Sequence, residues 1–62
     1  MYLGPDNHYA VMIDGGARDG MIILDELTFE EALDYACGLR LYDGEIALVY
    51  DKADDIASMP RR

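Results

Sequence analysis

The chain has 62 residues, 52% of them hydrophobic, with 13 acidic residues against 5 basic ones and a formal net charge of −8. That length allows one domain and no more, the apolar content excludes a disordered polyanion, and the charge argues against direct binding to nucleic acid or to an anionic membrane surface. Two of the cations, Arg61 and Arg62, are the last two residues, so the body of the chain is more acidic still and gains most from its field against a basic partner.

The chain opens with a cluster of turn formers, Gly4, Pro5, Asp6 and Asn7, with Tyr2 and Leu3 before them expected to fold back on the body. Residues 8–14 (HYAVMID) predict a first strand. Its alternation puts Tyr9, Val11 and Ile13 on one face and Ala10 and Met12 on the other. Residues 14–20 (DGGARDG) carry three glycines in seven residues between apolar runs and predict a hairpin loop. A second strand follows over 21–27 (MIILDEL).

Thr28 opens a helix through a capping box, its hydroxyl facing the amide of Glu31 and the Glu31 carboxylate reaching back. Phe29, Ala32, Leu33 and Ala36 recur at helical spacing and form an apolar stripe. The helix either stops with Gly38 just beyond its end and Leu39 folded back on Leu33, or runs through Gly38 to Leu41. Asp43-Gly44 marks a turn, and residues 45–51 (EIALVYD) predict a third strand, with Ile46, Leu48 and Tyr50 on the helix side and Ala47 and Val49 away from it.

The tail, residues 52–62, is expected to be mobile or to form a short helical turn that Pro60 ends, with Ile56 and Met59 as its only large apolar groups. A right-handed crossover then gives one α+β domain over residues 1–62. It is a ββαβ unit, a three-stranded antiparallel sheet in the order 2-1-3 with one helix packed on one face. Ala10, Met12, Ala47 and Val49 would lie on the sheet face away from the helix, either covered by the tail or forming a contact surface.

Little in the chain can do chemistry. An enzyme needs a nucleophile, a base or a metal held in a pocket, and here there is one histidine (His8), one cysteine (Cys37) and one serine (Ser58, in the tail). Cys37 predicts a small buried hydrophobe in a reducing compartment. No His/Cys spacing fits zinc, DGGARDG lacks the lysine and hydroxyl of a phosphate-binding loop, and Asp51, Asp54 and Asp55 lack the alternating ligands of a calcium loop. The expectation is a non-enzymatic protein with no cofactor and no metal. The sequence starts at Met1 without a cationic, apolar leader, and no apolar run approaches bilayer length. We therefore expect a complete small reading frame that acts in the cytoplasm.

What remains is the acid. Glu30, Glu31 and Asp34 share the helix side opposite the apolar stripe, and Asp25 and Glu26 extend them. Asp51, Asp54 and Asp55 form a second group where the third strand ends, and the only lysine is Lys52. Ordinary surfaces intersperse both signs. A dense carboxylate face on a rigid body imitates the phosphate rows of DNA and competes for the arginines and lysines that hold them. The candidate partner-binding residues are therefore Asp25, Glu26, Glu30, Glu31, Asp34, Asp51, Asp54 and Asp55.

In size, acidity and the strand–strand–helix–strand pattern of HYAVMID, MIILDEL, TFEEALDYACG and EIALVYD, the chain resembles the small acidic anti-CRISPR proteins of phages and mobile elements, including those directed at type I systems. The resemblance implies a stoichiometric inhibitor in a bacterial host cell. It would bind a subunit of a CRISPR surveillance complex (a Cascade subunit) at the basic surface that recognises DNA or the PAM. No residue roles carry over from it. Such a protein would act as a monomer and bind neither nucleic acid nor membrane directly. Two other readings compete: a small homodimeric scaffold module that pairs through Met12, Ala47 and Val49 or through an edge strand, and an antitoxin that neutralises a basic toxin.

Overall fold

A computed structural model describes residues 7–61. The expected turn before Asn7 and the packing of Tyr2 and Leu3 lie outside the described residues. Within them the order is β1 (Tyr9–Asp14), β2 (Ile22–Leu27), α1 (Phe29–Gly38), β3 (Ile46–Asp51) and β4 (Ile56–Ser58). All pairings are antiparallel, in one sheet of order β2-β1-β3-β4. The α+β class, the single helix and the 2-1-3 arrangement agree with the sequence, but the sheet has four strands rather than three. The tail supplies the fourth: residues 52–55 turn the chain, and 56–58 pair with β3 along Val49, Tyr50 and Asp51. Extended pairing there satisfies backbone groups at the free edge of β3, which a helical turn would leave open.

The helix begins as its sequence dictates. The Thr28 hydroxyl accepts from the Glu31 amide at 3.1 Å, and Glu31 Oε1 accepts from the Thr28 amide at 2.9 Å. We expect Thr28→Ala to cost about 1 kcal/mol, measured by urea unfolding, because the Glu31 amide loses the hydroxyl that accepts from it. At the other end Gly38 is the last helical residue and Leu39 leaves in an extended conformation (φ −69°, ψ 134°). Neither expected ending occurs, because the chain turns straight out toward β3 without a left-handed residue.

The core forms where α1 crosses β1 and β3. Val11, Ala32, Ala36, Ala47 and Val49 are buried together, with Tyr9, Leu27, Leu33 and Leu39 packed around them. This corrects the face assignment of β3. Val11 pairs with Val49 and Ile13 with Ala47, and paired residues share a face. Ala47 and Val49 therefore lie under the helix, and Ile46, Leu48 and Tyr50 lie on the far side with Ala10 and Met12. The reason is steric: the helix presents Ala32 and Ala36, approaches the sheet closely, and takes the smaller side chains of β3 beneath it.

Ile56 does not reach the far face, where Ala10 is nonetheless buried. Ile56 pairs with Asp51, and Ile56 and Met59 stay 58% and 56% exposed. Cys37, expected inside, is exposed, because it sits one residue past Ala36 and so rotates away from the apolar stripe.

The 15–20 loop lies against the turn before β3. Gly15 has φ +83°, and a Cβ there would stand 2.4 Å from the Gly44 carbonyl oxygen. Gly20 has the same φ but open space around it. Gly20→Ala should therefore cost only the left-handed backbone term of about 1–2 kcal/mol. Gly15→Ala adds a collision with fixed backbone, so its unfolding midpoint in urea should fall further than that of Gly20→Ala.

Candidate functional site

β2 and β3 both run antiparallel to β1, so they point the same way and end at the same end of the sheet. Tyr9, at the start of β1, pairs with Leu27 on one side and Asp51 on the other. The helix starts directly after β2, and the 52–55 turn directly after β3. The two acidic groups, separate in sequence, therefore converge on one end of the molecule. Asp25, Glu26, Glu30, Glu31, Asp51, Asp54 and Asp55 are all there, and Asp34 lies one turn farther along α1. All are exposed except the half-buried Asp51.

These carboxylates differ in what they already hold. Asp51 Oδ1 accepts from the Ala53 amide at 3.0 Å and the Asp54 amide at 3.4 Å, and lies 3.2 Å from His8 Nε2. It therefore shapes the turn that carries Asp54. Asp55 accepts from the Tyr50 hydroxyl, and this bond, with desolvation, raises the Tyr50 pKa. Glu31 is committed to the helix cap. Asp25 pairs with Lys52 and also accepts from the Glu26 amide at 2.7 Å; the Lys52 bond, then the amide, holds its carboxyl below the ordinary range. The Asp25–Lys52 pair ties the end of β2 to the turn after β3, across the start of β1. Among the described residues the side chains of Glu26, Glu30 and Asp54 hold no hydrogen bond or ion pair. Glu26 is also set outward by its backbone, at φ +56°, where β2 departs from regular register against β1.

Aromatic rings back this end of the sheet. His8 stacks on Tyr9 at 4.4 Å between ring centroids, and Phe29 meets Tyr9 edge-on at 5.4 Å. The ring contact and the capping box together fix the helix N-terminus over the sheet. Glu30 thus projects from a rigid element, whose positive end also favours carboxylates.

The opposite end holds a feature that the sequence reading passed over. Arg18, in the 15–20 loop, makes a two-pronged bond to Glu45, with both N–O distances 2.7 Å. The Glu45 side chain is only 1% exposed. Glu45 also accepts from the Tyr42 amide at 2.8 Å, and the Arg18 guanidinium lies 4.5 Å from the centroid of the Tyr42 ring. Arg18 is the first cause, and the Tyr42 amide a further one, that lowers the Glu45 pKa to about 2. This pair clasps the hairpin loop to the turn before β3. The available signal was an isolated arginine in a glycine-rich loop of an acidic chain, which needs a carboxylate close by.

A shallow open groove lined by Asp34, Tyr35, Gly38, Leu39 and Arg40 follows the end of α1, so that Asp34 faces this groove as well as the acidic end. Among the described residues no three His, Cys, Asp or Glu side chains are placed to hold a metal ion, and no helix is long and apolar enough to cross a membrane. Compared with known proteins, the chain matches no family model, no curated protein and no solved structure.

Proposed function

We propose that this protein is a non-enzymatic inhibitor that offers carboxylates in place of DNA phosphates to a basic, nucleic-acid-binding protein surface. Its target in this reading is the DNA- or PAM-recognising subunit of a type I CRISPR surveillance complex. The observation that carries the reading is the convergence of β2, β3 and the start of α1, which collects the acids on one rigid end. Glu26, Glu30 and Asp54 are the groups there with no hydrogen-bond or ion-pair partner among the described residues, so they meet an arginine or lysine without first breaking such a bond. Asp25, Glu31, Asp51 and Asp55 hold the surface in shape while adding to its field.

Such a surface accelerates encounter with a basic partner and loses strength as salt screens it. Titration of the protein against purified surveillance complexes should show affinity falling at least about tenfold between about 50 and 200 mM salt. Affinity unchanged over that range would reject carboxylate mimicry.

The alternative, a homodimeric module, is favoured by one observation. The outer strand β2 and the residue before it leave Met21, Ile22 and Leu24 between 41% and 48% exposed. Ala47 and Val49 lie under the helix, so of the two pairing routes expected from the sequence the open-face one loses them and the edge-strand one remains. Sedimentation that gives a monomer at every concentration would exclude it.

A further inference from the structure

The chain contains three Asp-Gly pairs, Asp14-Gly15, Asp19-Gly20 and Asp43-Gly44, and the structure treats them differently. We propose that Asp43-Gly44 is a site of spontaneous aspartyl isomerisation, and that the fold itself protects the other two. In this chemistry the amide nitrogen of the following residue attacks the aspartyl side-chain carboxyl carbon. The carbon–hydroxyl bond breaks, water leaves, and a five-membered succinimide closes. Water then opens the ring at either carbonyl and returns aspartate or isoaspartate. The mass is unchanged and no co-reactant other than water is needed. A following glycine allows the attack because no side chain shields its nitrogen.

The nitrogen must be free to turn toward the carboxyl. Gly15 donates its amide to Asp19 Oδ1 at 2.7 Å, and Asp14 is the last residue of β1, paired with Ile46. Gly20 donates its amide to the Ile13 carbonyl at 2.7 Å, and the Asp19 carboxylate is held by Gly15. In the third pair both residues are exposed, and among the described residues neither the Gly44 amide nor the Asp43 carboxylate has a hydrogen-bond partner. Local opening is thus needed at the first two pairs before reaction but not at the third.

Isomerisation at Asp43 has a structural consequence. It inserts one methylene into the backbone between Tyr42 and Glu45, inside the turn closed by the bond from the Glu45 amide to the Tyr42 carbonyl at 3.1 Å. The same turn sets the Tyr42 amide on Glu45 Oε1. Ageing at this position would therefore loosen the seat of the Arg18–Glu45 pair.

Trypsin places the three pairs in separate peptides, 1–18, 19–40 and 41–52. The folded chain is incubated at physiological temperature and mildly acidic pH, then digested, and isoaspartate is resolved by chromatography and by fragmentation that distinguishes the isomers. A parallel sample is incubated in guanidinium chloride. The expected result is isoaspartate in 41–52 at about tenfold or more the level in the other two peptides when folded, and comparable levels in all three when unfolded. Equal levels in the folded sample, a lead for Asp14 or Asp19, or no isoaspartate at Asp43 would overturn the proposal. So would an unfolded sample in which the other two pairs still fail to react.

Discussion

Replacing Glu26, Glu30 and Asp54 together by lysine is expected to weaken binding to the proposed basic partner by about a hundredfold or more, while circular dichroism and the unfolding midpoint change little. These three side chains are exposed and, among the described residues, carry no hydrogen bond or ion pair, so the described fold does not depend on them. Each reversal removes an attraction and adds a repulsion, and the loss should appear first in the association rate. The choice of residues matters. Reversing Glu31 would also break the capping box, reversing Asp25 would abolish its pair with Lys52, and reversing Asp51 would unseat the turn at 52–55. Loss of binding in those variants would confuse surface with scaffold. Isothermal titration with the triple variant separates the two, and undiminished binding would remove these residues from the interface.

The largest loss of stability is expected at Glu45. Glu45→Gln keeps the size and the bond from the Tyr42 amide but removes the charge, leaving the Arg18 guanidinium facing a neutral group in a half-buried site. The thermal midpoint should fall by more than about 10 °C, as for a broken buried ion pair in a domain of this size. Arg18→Ala should be at least as damaging, since it strands a buried carboxylate. The double replacement Arg18→Met with Glu45→Met should recover much of the loss, because neither charge is then left unpaired.

The pair also fixes a pH dependence. The folded-state pKa of Glu45 is lowered to about 2 from an ordinary 4.5. Its stabilisation is therefore complete above the ordinary value and is lost as pH falls from there toward 2. Stability measured across that interval should decline less steeply in Glu45→Gln than in the natural chain. Parallel curves would mean that other carboxylates carry the acid sensitivity.

Most of the frame was legible because local signals agreed with the global fold. Thr28 and Glu31 announce the helix start, the glycines of DGGARDG announce the hairpin, and apolar runs mark three strands. The misses have physical causes. β3 (IALVY) is apolar on both faces, so alternation alone cannot orient it; the close approach of Ala32 and Ala36 decides which side is buried. β4 has only three residues, and its pairing depends on the free edge of β3 rather than on its own composition. The convergence of the two acidic groups follows from strand order, and all eight candidate carboxylates were visible in the sequence. Their division of labour was not. That Asp51 and Glu31 serve the backbone, while Glu26, Glu30 and Asp54 hold no partner among the described residues, depends on side-chain geometry that no spacing rule conveys. The Arg18–Glu45 pair, separated by 27 residues, was beyond local pattern for the same reason.

The central claim, that the acidic end stands in for DNA, is tested most directly by competition. Type I surveillance complexes are immobilised and captured protein is quantified while target duplex is titrated in. The account predicts that duplex displaces the protein, and that the protein in turn blocks duplex binding. Protein and duplex held together on one complex, with neither lowering the affinity of the other, would contradict it.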